Sequence, residues 1–127
     1  RIADGSPGSG EHRGGAGVER IWRCLSPLTI SAHLNHTRSP IWGLHGGNAG
    51  TNTALLFRRA NSDSWLSATE LFGTISDGKF SNLTLETGDQ ILLRTPGGGG
   101  YGDPLRYCLQ DPEIVHALKE EILLAPR

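Results

Sequence analysis

Gln90-Ile91-Leu92-Leu93-Arg94-Thr95-Pro96-Gly97-Gly98-Gly99-Gly100-Tyr101-Gly102-Asp103-Pro104 is the stretch on which the fold turns. An apolar strand runs into five glycines around one tyrosine, and Gly97, Gly99 and Gly102 satisfy the G-x-G-x-x-G spacing of a dinucleotide fingerprint. A doubly wound α/β fold would follow if the last glycine opened a helix, whose N-terminus would hold a pyrophosphate. Asp103-Pro104 stands there instead, the next helix signal is Asp111-Pro112, and too little chain remains for a helix, a second strand and a ribose-binding acid. No Gly-Lys-Ser/Thr follows, which excludes a P-loop. The run is therefore read as backbone that something approaches closely. Without Cβ atoms, and with positive φ open to it, it admits a substrate, an anion or another chain segment. A structural glycine turn is the bland alternative.

Outward from the run, the chain reads as β. Leu28, Ile30, Ala32 and Leu34 alternate with Thr29, Ser31, His33 and Asn35, the period of a half-buried strand. Residues 18–25, 53–59, 66–71, 80–85 and 90–94 are further strand candidates, separated by Ser26-Pro27, Asn61-Ser62-Asp63, Ser76-Asp77-Gly78 and Glu86-Thr87-Gly88-Asp89. Short strands with regular turns predict a mainly β fold, an antiparallel sandwich- or barrel-like unit. Residues 1–17 read as a glycine-rich connection from upstream sequence, with order beginning after it. Residues 18–110 form the β-rich region, with the glycine loop at 96–104. One α-helix closes the chain over 111–127, with Asp111 as cap, Pro112 in the first turn, and Ile114, Leu118 and Ile122 on one face.

Composition narrows the function classes. With 127 residues and 36% hydrophobic content, one modest core is expected. Eighteen glycines and seven prolines favour turns and strands over helices. A net charge of −1 leaves no electrostatic footprint for nucleic acid, and no apolar stretch approaches the roughly 20 residues of a membrane-spanning helix. Methionine is absent, so Arg1 is read as lying inside a longer or processed chain. Cys24 and Cys108 are too few and too far apart for a disulfide framework or a zinc site, and read as free thiols in a reducing compartment. The sequons Asn35-His36-Thr37 and Asn82-Leu83-Thr84 are read as chance matches.

Chemistry-bearing residues are sparse. His33 and His36 would face opposite sides of a strand, so surface or packing roles suit the five histidines better than a metal site. Glu11-His12-Arg13-Gly14-Gly15 sets an acid, a base and a guanidinium beside open backbone, suited to a carboxylate or phosphate. A solvated loop would use the same residues. No G-x-S-x-G elbow is present and no serine has a local activating partner.

Four motifs, in order and spacing, carry a resemblance: Arg13-Gly14-Gly15-Ala16-Gly17-Val18, Trp42-Gly43-Leu44-His45-Gly46-Gly47, Glu86-Thr87-Gly88-Asp89, and 95–104. Together they look like the C-terminal part of the hydantoinase B family. Its members include ATP-dependent 5-oxoprolinases, N-methylhydantoin hydrolases and subunits of acetone and acetophenone carboxylases. The resemblance implies a fragment of a larger, cytoplasmic, oligomeric α+β protein that opens a cyclic amide such as 5-oxoproline or a hydantoin. ATP and Mg2+ would be used by a hydantoinase A-like partner, and any metal ligands would lie upstream of Arg1. On this reading Arg13 is an anion or carbonyl contact, and Gly97, Gly98, Gly99 and Gly100 are close-approach backbone. Tyr101 is a stacking or hydroxyl-donor residue, and Asp103 a turn-fixing or hydrogen-bonding acid. His45 departs from the pattern, which expects an apolar or aromatic side chain there. The competing expectation is a non-catalytic β-rich module for subunit interaction, with Arg13 and Asp103 a buried pair bracing the turn.

Overall fold

The computed structural model describes residues 1–106 and residue 116. Among the described residues the elements follow in the order β1 (Ile2–Ala3), β2 (Gly17–Arg23), β3 (Leu28–His33), β4 (Ala54–Arg58), β5 (Leu66–Ser67), α1 (Ala68–Phe72), β6 (Lys79–Leu85) and β7 (Gln90–Arg94). They form a five-stranded sheet in the order β1-β2-β7-β4-β5 and a two-stranded ribbon of β3 and β6. Every pairing between these strands is antiparallel, as the short, turn-separated strands predict. The helix expected over 111–127 lies, apart from His116, outside the described residues.

The core sits between sheet and ribbon. In β7 the alternation sends Ile91 and Leu93 inward, beside Leu55 and Phe57 of β4, which are their register partners. Phe57 is completely buried and joins three elements. Its ring meets Phe72 of α1 edge-on at 5.3 Å between centroids and Phe80 of β6 at 6.0 Å. Cys24, Ala68 and Leu85 complete the buried cluster. Cys24 is a free thiol there, and burial, with the Asp89 charge adding, raises its pKa. It therefore packs as a small apolar group rather than reacting as a thiolate.

Two local departures from the sequence reading have clear causes. The candidate strand 66–71 ends at Ser67, where α1 begins. Ser67 Oγ accepts from the Glu70 amide while the Glu70 carboxylate accepts from the Ser67 amide, a reciprocal cap. Gly73, at φ +70°, closes the helix in the left-handed region. In the ribbon, the register slips between Ile30 and Ala32, which oppose Leu83 and Phe80. The extra β6 residue is absorbed with Asn82 at φ +57°, its amide donating to Ser31 Oγ.

Residues 1–17 are not a free connection. Ile2–Ala3 adds an edge strand to β2, and the rest packs against the glycine run, because glycine backbone on both sides lets the segments touch.

Candidate functional site

Three glycine-rich segments, 6–15, 41–51 and 97–102, lie side by side and bond through their main chains. Gly98 accepts from the Gly8 amide at 2.8 Å and donates to the Gly15 carbonyl at 2.9 Å. Gly100 donates to the Asn48 carbonyl and accepts from the Leu44 amide, both at 2.9 Å. The first and second segments bond directly through Asn48 to Ser9 at 2.7 Å and Thr51 to Ser6 at 2.9 Å. The glycine run is thus the middle member of a backbone lattice.

Close approach, rather than unusual backbone torsion, explains the composition. Within the run only Gly102 has positive φ, at +78°. A Cβ on Gly97 would collide with the Ser6 carbonyl, on Gly99 with the Trp42 carbonyl, and on Gly100 with the Ser9 carbonyl. Gly98 differs: its nearest neighbour would be Gly15 N at 3.2 Å. The partner that approaches the run is therefore the chain itself. On Gly97, Gly99 and Gly100 the space where a Cβ would stand is filled by the protein's own carbonyls, the chain-segment alternative of the sequence reading.

The lattice ends in an exposed edge that presents Tyr101. Its main chain exchanges hydrogen bonds with His12 in both directions, at 2.8 and 2.9 Å, and it pairs with Leu44 on the other side. His12, in the first bridge, and His45, next to Leu44 in the second, bring two imidazoles to the phenol ring. The His45 ring centroid is 4.9 Å from that of Tyr101, and the His12 centroid is 6.1 Å away. His45 holds φ +50°, a left-handed conformation uncommon for a non-glycine residue, and Gly46 follows at +91°. Tyr101 is 47% exposed, and its hydroxyl has no hydrogen-bond partner among the described residues. Sequence reasoning named His12 as a base beside Arg13 and noted His45 as a departure from the family pattern, but joined neither to Tyr101, because only the folded lattice brings residues 12, 45 and 101 together.

Asp103 fixes the turn that leaves this edge. Its Oδ1 accepts from the Leu105 amide at 2.9 Å and its carbonyl from the Arg106 amide at 3.0 Å. Arg13 is exposed and makes no hydrogen bond or ion pair among the described residues. The buried Arg13–Asp103 brace therefore does not exist, since both residues are at the surface.

The ion pairs that do brace the fold lie elsewhere. Asp89, 2% exposed, accepts from the Ala60 amide at 3.0 Å, the Glu86 amide at 3.0 Å and Arg59 Nη1 at 2.7 Å. Burial pushes its carboxyl up, but the hydrogen bonds from Glu86, Arg59 and Ala60 outweigh that and hold its pKa below the usual Asp value. Glu19, 5% exposed, receives Arg94 Nη2 at 2.6 Å and Nε at 3.0 Å, and Arg1 Nε at 2.8 Å. The Arg94 hydrogen bond, opposed by burial and reinforced by Arg1, keeps the Glu19 pKa low. No cluster of three metal-ligating side chains occurs among the described residues, and no helix among them is long and apolar enough to cross a membrane.

An antiparallel sandwich joined to a glycine lattice defines a β-rich scaffold that presents Tyr101 and Trp42 at the lattice edge. The chain belongs to the hydantoinase B/oxoprolinase family, whose model matches residues 1–104. It is 30% identical over 109 residues to an uncharacterized protein of Methanocaldococcus jannaschii, covering 81% of this chain and 16% of that relative. It is 30% identical over 106 residues to a 5-oxoprolinase of Pestalotiopsis fici, and 29% identical over 101 residues to the 5-oxoprolinase of Saccharomyces cerevisiae. Those matches cover 81% and 80% of this chain but 8% and 7% of the relatives. The chain thus spans less than a fifth of the length of these curated relatives.

Proposed function

We propose that the chain is the C-terminal segment of an ATP-dependent cyclic-amide hydrolase that opens 5-oxoproline or a hydantoin ring within a cytoplasmic, oligomeric assembly. Family membership and the 5-oxoprolinases among its relatives support the reaction class. A hydantoinase A-like partner would use ATP and Mg2+. Phosphorylation of the amide oxygen there turns a poor electrophile into one that water attacks. In this segment the lattice holds Tyr101 rigid, and its hydroxyl can donate a hydrogen bond to the ring's developing charge. The His12 and His45 rings, with centroids 6.1 and 4.9 Å from that of Tyr101, place ring nitrogens beside it for proton transfer. Arg13 and Asp103 remain the accessory anion contact and turn-fixing acid.

The observation that carries a chemical role is an exposed phenol, its hydroxyl without a partner among the described residues, with two imidazoles near its ring. Tyr101→Phe in the full-length parent, assayed with its partner for 5-oxoproline-dependent ATP hydrolysis, should lower turnover by about tenfold or more. Unchanged turnover accompanied by lower thermal stability would assign Tyr101 to packing alone. A second reading, a non-catalytic subunit-interaction module, is favoured by Trp42 and Leu44, which are 72% and 56% exposed beside the same edge. Leu44→Asp would then disrupt assembly with the rest of the parent while Tyr101→Phe leaves turnover intact.

A further inference from the structure

Where the lattice meets the five-stranded sheet there is a second feature, a cavity of about 820 Å³. Ser6 and Thr51 line it from the lattice, Glu19 and Arg94 from β2 and β7, and Asn52 and Asp4 from the adjoining loops. Two guanidiniums, Arg1 and Arg94, converge on Glu19, and Asp4 is the second acid of the lining. Arg94 commits Nε and Nη2 to Glu19, so its Nη1 edge keeps two N–H donors with no acceptor among the described residues. Thr51 Oγ1 accepts from the Gly97 amide at 3.4 Å, which leaves its own O–H to donate. The Asn52 side chain also has no partner among the described residues. A guanidinium fixed by Glu19, with a free N–H edge, and neutral donors around one cavity match the needs of a carboxylate.

We propose that this cavity binds a small carboxylate-bearing molecule. Arg94 grips the carboxylate, Thr51 and Asn52 donate to it or to a ring amide, and Glu19 is the positioning residue that locks the guanidinium against the sheet. Asp4, the other acid lining the cavity, works against an anion. Choosing 5-oxoproline as a probe rests on the oxoprolinase reading, whereas the carboxylate site itself rests on the cavity. The Gly97 amide bonds to Thr51, so the lattice shapes the site without touching the ligand.

The test is titration of the full-length parent with L-5-oxoproline, with its carboxamide and with succinate, followed by the NMR signals of selectively labelled arginine and asparagine side chains. A carboxylate should move the Arg94 Nε–H and Asn52 side-chain resonances saturably, and the carboxamide should bind about tenfold more weakly or worse. Asp4→Asn, which leaves Glu19 and Arg94 untouched, should tighten carboxylate binding severalfold by removing a like charge. Arg94→Lys should weaken it by about tenfold, because an ammonium lacks the fork. Should that variant lose its fold, the carboxamide control and Asp4→Asn still decide. Equal binding of acid and carboxamide, no saturable shift with either carboxylate up to millimolar levels, or weaker binding in Asp4→Asn would each overturn the proposal. Succinate binding without 5-oxoproline binding would uphold the carboxylate site and count against the oxoprolinase reading alone.

Discussion

Phe57 and Gly99 lie in regions that cohere by different physics. Around Phe57, side chains from the sheet, α1 and the ribbon exclude water, and the contacts are apolar surfaces with no directional requirement. Around Gly99, three backbones touch, the bonds are amide to carbonyl, and side chains are kept out because a Cβ would strike the Trp42 carbonyl. The first region is sensitive to lost volume, the second to added volume. Substitutions that are conservative in one are therefore disruptive in the other.

The largest effect expected from probing this contrast is at Phe57. Phe57→Ala should cost about 3–5 kcal/mol in chemical denaturation, through lost burial plus the cavity it leaves. Gly99→Ala should cost about 1–3 kcal/mol or somewhat more, since the obstructing atom is main chain and cannot rotate away. A wild-type denaturation midpoint for Gly99→Ala would break the distinction. Gly98→Ala sharpens it at the neighbouring residue. Its Cβ would stand 3.2 Å from Gly15 N, and the entropy removed from the unfolded chain offsets the squeeze, so its stability should stay within about 1 kcal/mol of wild type.

The smallest effect near neutrality is that of pH, and it separates the regions by charge. Glu19 and Asp89 have folded pKa values below their ordinary values of 4.5 and 3.8. Their stabilisation is complete above those values and is lost as pH falls through the lower folded pKa values. An acid melt should therefore show falling stability only below about pH 4.5. Glu19→Gln with Asp89→Asn should flatten that acid limb. If the double variant keeps the full acid dependence, these carboxylates do not link sheet stability to pH.

The strands were largely legible: 28–33 alternate with the period of two, and 90–94 form a short apolar run bounded by turn residues. The helix at Ala68–Phe72 was misread as strand, although Ser67 and Glu70 already spelled the reciprocal cap and Gly73 its end. The lattice was half legible. Density of glycine announced close approach, but backbone meeting backbone leaves no side-chain pattern to say which segments pair. For the same reason His12 and His45 gave no sign of flanking Tyr101. Asp89 was legible as the end of a turn, while its burial depends on Arg59 and Ala60, some 30 residues away in sequence.

The lattice also implies an uneven response to temperature. Unfolding apolar surface raises heat capacity by about 0.45 cal/K/mol per Å², whereas exposing polar surface lowers it by about 0.26. A region joined through amides and carbonyls contributes little or negatively to that total. Its cohesion should fade less on cooling than that of the Phe57 cluster, whose hydrophobic contribution weakens as water turns cold. In a cold-denaturing chain, the glycine segments would be the last to part.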